Sequence, residues 1–556
     1  MEHGRSSPDP DKLLGRVDEL LRCNRELTAV VEEQQATIAA QQEALQRATE
    51  QLTLLKKALF GPRRERYVPS PDQGLLFGEQ RLDLPPAPPE ELFCPVAPHK
   101  PKRPRTKFVF PQGLPVERIE HPLSEAERPC GCCGCERVVI DELVTKQLEL
   151  EGPKARIIEH VRYTYACSKC RHGSQVVTTN KPPAPIEKSP FGASVLAWIT
   201  AAKFERHLPL YREQEMLLEP LGMWLSRPLL CNLLKGTARA LKPLADQLLA
   251  EILKSCVVQA DETPVRFLPG EAGKSRLGYL SGYAGDEEHH FLWYDFRPSR
   301  SRDGPQAALA DYRGVLLTDG YSVYESLVNN SAGRLIAAAC WMHARRGFDE
   351  ARYTTSHPLV EETLARVRLL YDIEDRAKLL SAADRCGLRT DESKPVVERI
   401  FTRLEEVRPE LRPSTKLAEA IGYVLHRKEA LSRFLDDGRI PLDTGLLERS
   451  LRPAALGRKN WLFFGSFAGG QTAATLYSVV QSARGYQLDV TAYLTDVLRC
   501  LPALPPNDVE GLRGLLPDRW AKTHPEHVLE ARQEESRAAQ ELRRHRRAAR
   551  RLLAQT

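Results

Sequence analysis

A heptad seam near the start of the chain restricts its fold more than any other feature. Spacing of 3 and 4 from Leu13 gives Leu13, Val17, Leu20, Asn24, Leu27, Val31, Gln34, Ile38, Gln41, Leu45, Ala48, Leu52, Leu55 and Leu59. Ten of these 14 positions are large aliphatics, and no Gly or Pro interrupts the pattern after Gly15. An apolar stripe of this length and period predicts a coiled coil over residues 12–60, hence a homo-oligomer of at least two chains. Asn24 falls at an a position, where a buried amide favours a parallel dimer in one register. A long helix packed on its own chain is the alternative.

The composition then shifts. LPPAPPEE and APHKPKRPRTK cannot build a core, so residues 61–115 form a Pro-rich linker, made basic by Lys100, Lys102, Arg103, Arg105 and Lys107. The whole chain of 556 residues carries 80 Lys and Arg against 74 Asp and Glu, a net +6, so any nucleic-acid contact must come from local clusters. With 42% hydrophobic and 28% charged residues, global disorder is excluded. No apolar run reaches the roughly 18 residues of a membrane span, and MEHGRSSPDPDK lacks the apolar stretch of a secretory signal. A reducing cytoplasm is the expected setting, with no membrane partner.

Six of the 13 cysteines fall between Cys130 and Cys170. In a reducing setting such clustering points to metal rather than disulfides. Cys130 and Cys133 are spaced C-x2-C, as are Cys167 and Cys170, with 33 residues between the pairs. Four thiolates in two knuckles suit tetrahedral, structural Zn2+ in a small β-rich module over residues 116–185. Cys132 and Cys135 have the same spacing, but Gly134 directly after Cys133 favours Cys130 and Cys133, because Gly lets backbone N–H groups turn toward sulfur. Residues 186–250 carry helical periodicity in SVLAWITAAKF, EQEMLLEPLGM and SRPLLCNLLKGTARALKPLADQLLAEIL, with Ser226 as an N-cap. This is a helical DNA-binding domain if its Gly222-centred turn makes a helix-turn-helix, and a plain helical bundle otherwise.

Strand signals follow. SCVVQADET, RLGYLSGYAG and HHFLWYDF form a meander, PQAALADYR is a short helix, GVLLTDG is a fourth strand and LIAAACWMH a fifth. That order resembles an α/β RNase H-like fold, in which the first and fourth strands lie side by side. Asp261 and Asp319, at the ends of those strands, would converge despite lying 58 residues apart. Convergent carboxylates suit Mg2+, and DTGLLERSLRP offers a third in Glu448, flanked by Arg449 and Arg452. Glu262 competes with Asp261, but the two point to opposite faces of a strand.

ADETPVRFLPG, LLTDGYSVYESL, CWMHARRGFDEA and ERSLRPAALGRKNWLFFGSFAGG together resemble the transposases of insertion sequence 66. LKKALFG, the cysteine knuckles, HLPLYRE and VTAYLTDVL extend the resemblance, in order, over about residues 12–520. It implies a DDE transposase in a bacterial, nucleoid-associated setting. Residues 251–500 would be the RNase H-like catalytic domain, with a helical insertion at about 350–440. Asp261, Asp319 and Glu448 would hold two Mg2+ (or Mn2+) ions. The implied reaction is nicking at the element's ends, then 3′-hydroxyl strand transfer into target DNA. Implied partners are double-stranded DNA, as terminal repeats and target, and the small accessory proteins of the same element. One departure is local: the family's Asp-Asn-Asn run reads Asp443-Thr444-Gly445.

Arg345, Arg346, Arg449, Arg452, Arg458 and Lys459 are the candidate DNA contacts. His343 is either a core or a site histidine. Gly457–Trp461 is expected as a basic-aromatic loop before a buried WLFF strand, and Gly469 and Gly470 as a turn before a helix from about Thr472. Residues 501–556 close the chain with a basic tail at Arg543–Arg551. The other function class is a transposase-derived DNA-binding regulator that does not cut. A nuclease without strand transfer is a third, and it would not need dimerising and end-binding modules.

Overall fold

A computed structural model describes residues 114–530, with breaks at 131–132, 152–153, 167–175 and 271–273, plus residue 110 and scattered positions between 22 and 49. Those scattered positions are helical, and Ile38 is 53% exposed. The rest of the heptad seam, most of the linker, Cys132, Cys167, Cys170 and the Arg543–Arg551 tail lie outside the described residues. The chain divides into two compact units, one of residues 1–108, 350–357 and 413–416, the other of the remainder. The second contains both sheets.

In the first sheet, β1 (Val116–His121), β2 (Val138–Glu151), β3 (Lys154–Ala166) and β4 (Val177–Thr178) are centred on β3, which pairs with all three others. β2 and β3 make one long antiparallel hairpin, bulged between Val139 and Asp141. Its turn end is seated on helix α1 (Ala193–Phe204). Leu148 is fully buried there, and the buried Glu149 carboxylate accepts from the Ser194 backbone N–H at 3.2 Å and from the Ser194 hydroxyl. α1 begins at Gly192, which has no side chain to cap it, so Glu149 supplies the acceptor that a Ser or Asp N-cap would. Cys130, Cys133 and Cys135 precede β2 at the open end of the hairpin, where Val138, Val139 and Ile140 are exposed.

Helix α2 (Arg227–Ile252) starts as its sequence predicts: the Ser226 hydroxyl accepts from Leu229 N–H at 3.4 Å, and Pro228 sits in the first turn. The second sheet follows, in the order β7–β6–β5–β8–β9. β5 (Val257–Phe267), β6 (Arg276–Ala284) and β7 (Leu292–Arg297) are an antiparallel meander. β8 (Gly314–Thr318) and β9 (Leu335–Ala339) run parallel to β5, reached through α3 (Asp303–Ala308) and α4 (Ser322–Asn329). A two-residue strand, β10 (Phe463–Phe464), adds to the far end of β5.

Helices α5 (Trp341–Ala351), α6 (Pro358–Ala377), α7 (Lys394–Val407) and α8 (Lys416–His426) lead to α9 (Gly445–Trp461), α10 (Phe467–Gly485) and α11 (Val490–Cys500). α10 covers the β7 edge. Ser478 and Ser482 hydroxyls accept from the Tyr294 and Leu292 N–H groups, both at 2.9 Å, so β7 offers no open ladder at these positions. Among the described residues, no helix is long and apolar enough to cross a membrane.

Three local expectations are corrected. The strand LIAAA stops at Ala339, because Trp341 N–H donates to Leu442 at 3.1 Å and α5 begins there. Gly457–Trp461 is the end of α9 rather than a loop, and only Phe463 and Phe464 are strand. Gly469 and Gly470 lie inside the first turn of α10, which Ser466 caps through the Gly469 N–H at 2.9 Å. Gly470 faces the Phe296 ring, where a Cβ would come within 2.1 Å.

Candidate active site

Asp261 lies within β5 and Asp319 just beyond β8. The parallel register pairs Val257 with Val315, Val258 with Leu316 and Gln259 with Leu317. Continued two residues, it sets Asp261 abreast of Asp319. The 58-residue offset between the two acids is thus the offset of the ladder itself. Asp319 is held by its own turn, its Oδ1 accepting from Tyr321 N–H at 2.9 Å, and its carbonyl accepts from the Tyr423 hydroxyl at 2.7 Å.

Glu448 is on the first turn of α9, and the start of that helix is fixed from several sides. Asp443 accepts from Gly445 N–H at 2.8 Å and from the Tyr371 hydroxyl at 2.7 Å. Thr444 is fully buried, with its N–H and hydroxyl both 3.4 Å from Cys340 Sγ at the end of β9. Farther along, the Tyr294 hydroxyl donates to Ser450 O at 2.8 Å, and Arg458 donates to Pro264 O and, at 3.3 Å, to Thr263 Oγ1. α9 therefore lies pinned across the meander with Glu448 at its β8 end.

The electrostatics join the three acids. Burial pushes the Asp261 carboxyl up to about 7; the charges of Asp319 and Glu448 add to the rise, and a hydrogen bond from Glu262 N–H at 2.7 Å opposes it. Glu448 Oε1 is buried without a hydrogen bond. Beside it stand His343 Nε2 at 3.6 Å and the Arg346 cation, Nη2 at 3.7 Å, both too far to bond. Burial and the neighbouring Arg346 hold His343 below the usual histidine range, against the pull of Asp319, Glu448 and Asp443. Among the described residues no three acid, His or Cys side chains stand close enough to hold one ion as placed, so a divalent cation with oxygen ligands would have to draw Asp261, Asp319 and Glu448 together. Glu262 has its own counter-ion, Arg300 at 2.5 Å, whose guanidinium lies 3.6 Å from the centre of the Tyr321 ring.

Among the expected DNA contacts, Arg345, Arg346, Arg449, Arg452 and Lys459 are exposed. Arg449, Arg452, Leu456 and Lys459 follow one another at 3-4-3 spacing, one face of α9 leading away from Glu448. Arg458 is spent on β5. Tyr371, Tyr423 and Arg427, whose guanidinium donates to Gly320 O at 2.8 Å, brace the acids from the 350–440 helices. Sequence pattern gave no sign of them, since each reads as an ordinary helix residue.

At the other sheet, Cys130 and Cys135 form a tight knuckle. Cys130 N–H donates to Cys135 O at 2.9 Å, Gly134 N–H donates to Cys130 O at 2.8 Å, and Pro129 bridges to Glu136. Gly134 takes φ +70°, the left-handed turn expected of a Gly after the second cysteine of a metal knuckle. The local backbone fits zinc; Cys167 and Cys170 fall outside the described residues.

Three family descriptions match the chain. "Transposase IS66 family" covers residues 188–472, "zinc-finger binding domain of transposase IS66" covers 127–171, and "Transposase C of IS166 homeodomain" covers 47–119. The chain is 32% identical over 484 residues to the uncharacterized protein y4qI of Sinorhizobium fredii (strain NBRC 101917 / NGR234), covering 84% of this chain and 88% of the relative. It is also 32% identical to y4jD of the same strain, over 74% of this chain and 81% of the relative.

Proposed function

Because the chain belongs to the IS66 family of transposases, we propose that it cuts DNA at the ends of its element and joins the freed 3′-hydroxyls to target DNA. The observation that supports this reading is the register of β5 on β8 together with the charges of Asp319 and Glu448 felt at Asp261, whose carboxyl is pushed up to about 7 by burial and, less, by those charges. The adjacency of β5 and β8 supports an RNase H-like catalytic core. Two Mg2+ ions bound by these acids would activate the attacking oxygen and offset charge on the leaving one. The protein's own part is positional. Asp261 and Asp319 offer oxygens from neighbouring strands, and Glu448 completes the set from α9. Arg346 tempers the charge of Glu448, so that metal and phosphate are both tolerated. Arg449, Arg452 and Lys459 meet backbone phosphates along α9, and Arg345 and Arg346 meet them beside the acids. Arg458 orients α9 on β5.

Cys130, Cys133, Cys167 and Cys170 bind one structural zinc, and this module with residues 186–250 recognises the terminal repeats. The heptad helix pairs two chains, so that two DNA ends meet two sites. The test is a mobility assay. A marker flanked by the native ends is supplied with wild-type or Glu448→Ala protein, with neighbouring reading frames present. Movement with wild type alone establishes the activity. Specific end binding without movement by either protein turns the assignment to a non-cutting regulator. In vitro, Asp319→Ala should fold and bind ends yet lose strand cleavage; Mg2+-dependent cutting by that variant defeats the carboxylate assignment.

A further inference from the structure

We propose that the cleft between the start of α2 and the end of α9 receives one unstacked nucleobase of the bound DNA end, with the adjoining phosphates on Arg227 and Lys235. The proposal rests on the transposase reading above and adds a base-binding site to it.

The cleft has a volume of about 760 Å³, within the range of small-molecule sites. Tyr211, Trp461 and Phe463 give it aromatic walls, and Lys203, Arg227 and Lys235 give it cations. Trp461 is fixed in place, stacked on Phe464 with ring centres 4.7 Å apart and 19° between planes. Phe463 and Tyr211 are each 41% exposed, so flat apolar faces remain open to a ligand. Leu462, at 66% exposure, stands at the rim with φ +66° and ψ −50°. A leucine is rarely held in that region, and such conformations cluster at binding and catalytic sites. Lys203, in the cleft wall, is buried against Glu213 behind it, whose two carboxylate oxygens are buried and lack hydrogen bonds.

Placement selects the occupant. α9 is a single helix from Glu448 to Trp461, about 20 Å at about 1.5 Å per residue. Its Arg449, Arg452, Leu456, Lys459 face carries positive charge along that length, and Arg227 and Lys235 carry it at the cleft itself. A strand with a phosphate at the acids would therefore reach the cleft roughly six nucleotides along, at about 3.4 Å per step. Paired bases present only edges to a protein, whereas an aromatic-walled hollow takes a base by its face.

The experiment uses the full-length protein and short duplexes of the DNA flanking its own gene. They are fully paired, or carry a single unpaired nucleotide walked along the first helical turn from the end, or carry an abasic unit at those positions. Binding is read by fluorescence anisotropy. At one position the unpaired nucleotide should tighten binding roughly 5- to 150-fold over the paired duplex, and the abasic unit should lose that gain. Phe463→Ala and Tyr211→Ala, both at exposed positions, should erase the gain, read for each variant as the ratio of its affinities for the unpaired and the paired duplex. A wild-type protein that binds and cuts the paired end but favours no unpaired position overturns this inference alone. A preference unchanged in both variants also overturns it and leaves the cleft to another occupant, such as a protein segment. Absence of any end binding or cutting overturns the transposase reading together with it.

Discussion

Asp261 holds its proton more tightly in the folded chain than an unfolded aspartate would, since burial and two neighbouring acids push it up to about 7. The sign of the linkage follows. Its contribution to stability is fully present below the unfolded value near pH 4 and is lost as pH rises through about 7. Without divalent metal, the protein should therefore be less stable at pH 8 than at pH 5 on this account. Asp261→Asn should raise its stability at pH 8 by roughly 1–3 kcal/mol, discounted for partial exposure, and flatten the pH dependence. Added Mg2+ should stabilise wild type at pH 8 and leave Asp261→Asn nearly unchanged. Thermal unfolding with chelator and with Mg2+ checks all three, and a wild-type protein indifferent to Mg2+ would contradict the metal assignment. As candidates, Asp261 and Asp319 are marked in the sequence because each ends an apolar strand run, and Glu448 because it stands at a helix start just ahead of Arg449 and Arg452. Their supports are not. Tyr371 and Tyr423 reach the site only through folding of helices far from it in sequence, and no local pattern marks a hydroxyl that will bond Asp443 or the Asp319 carbonyl.

α9 is the element on which the site turns, and its two ends taught different lessons. At its start, the Thr444-Gly445 pair departs from the family run without leaving a gap. Thr444 is fully buried and bonded to Cys340 Sγ. Thr444→Asn, which restores the family residue, should overpack this point and cost about 1–3 kcal/mol in chemical denaturation rather than repair anything. Improved stability and activity in that variant would show that the site can relax around a larger amide. At its end, a Gly and a run of basic residues predict a loop from Gly457 to Trp461. The helix continues because Gly457 is buried and Arg458 ties it to β5, both tertiary effects. Strand limits failed for a similar reason at Trp341, whose backbone is claimed by Leu442. Another element-scale prediction concerns Glu149. Glu149→Ala leaves the Ser194 N–H at the start of α1 without its acceptor and should cost about 2–4 kcal/mol, more than an ordinary cap, because the group is buried.

At the scale of the molecule, the β2–β3 hairpin has one end anchored on α1 and the other built around the Cys130–Cys135 knuckle. Chelation of zinc should loosen only the second. Limited proteolysis should then cut near residues 128–137 and 166–177 and leave a resistant fragment beginning near residue 186, whereas Glu149→Ala should expose the anchored end instead. Protein purified without chelator should carry one zinc per chain by elemental analysis. The order of modules was legible from composition and motif spacing; how the hairpin docks was not, because it depends on a buried Glu meeting a helix that its own residues leave uncapped. The chain also spreads its three acids unevenly. Asp261 and Asp319 come from neighbouring strands, but Glu448 follows 129 residues after Asp319, beyond the 350–440 helices. During synthesis at about 5–20 residues per second, roughly 6–26 s separate the second acid from the third. Through that interval a nascent chain can have both sheets formed and still lack its third acid; on the proposed reading, the carboxylate set is completed only after the zinc-finger module and residues 186–250 have had time to fold.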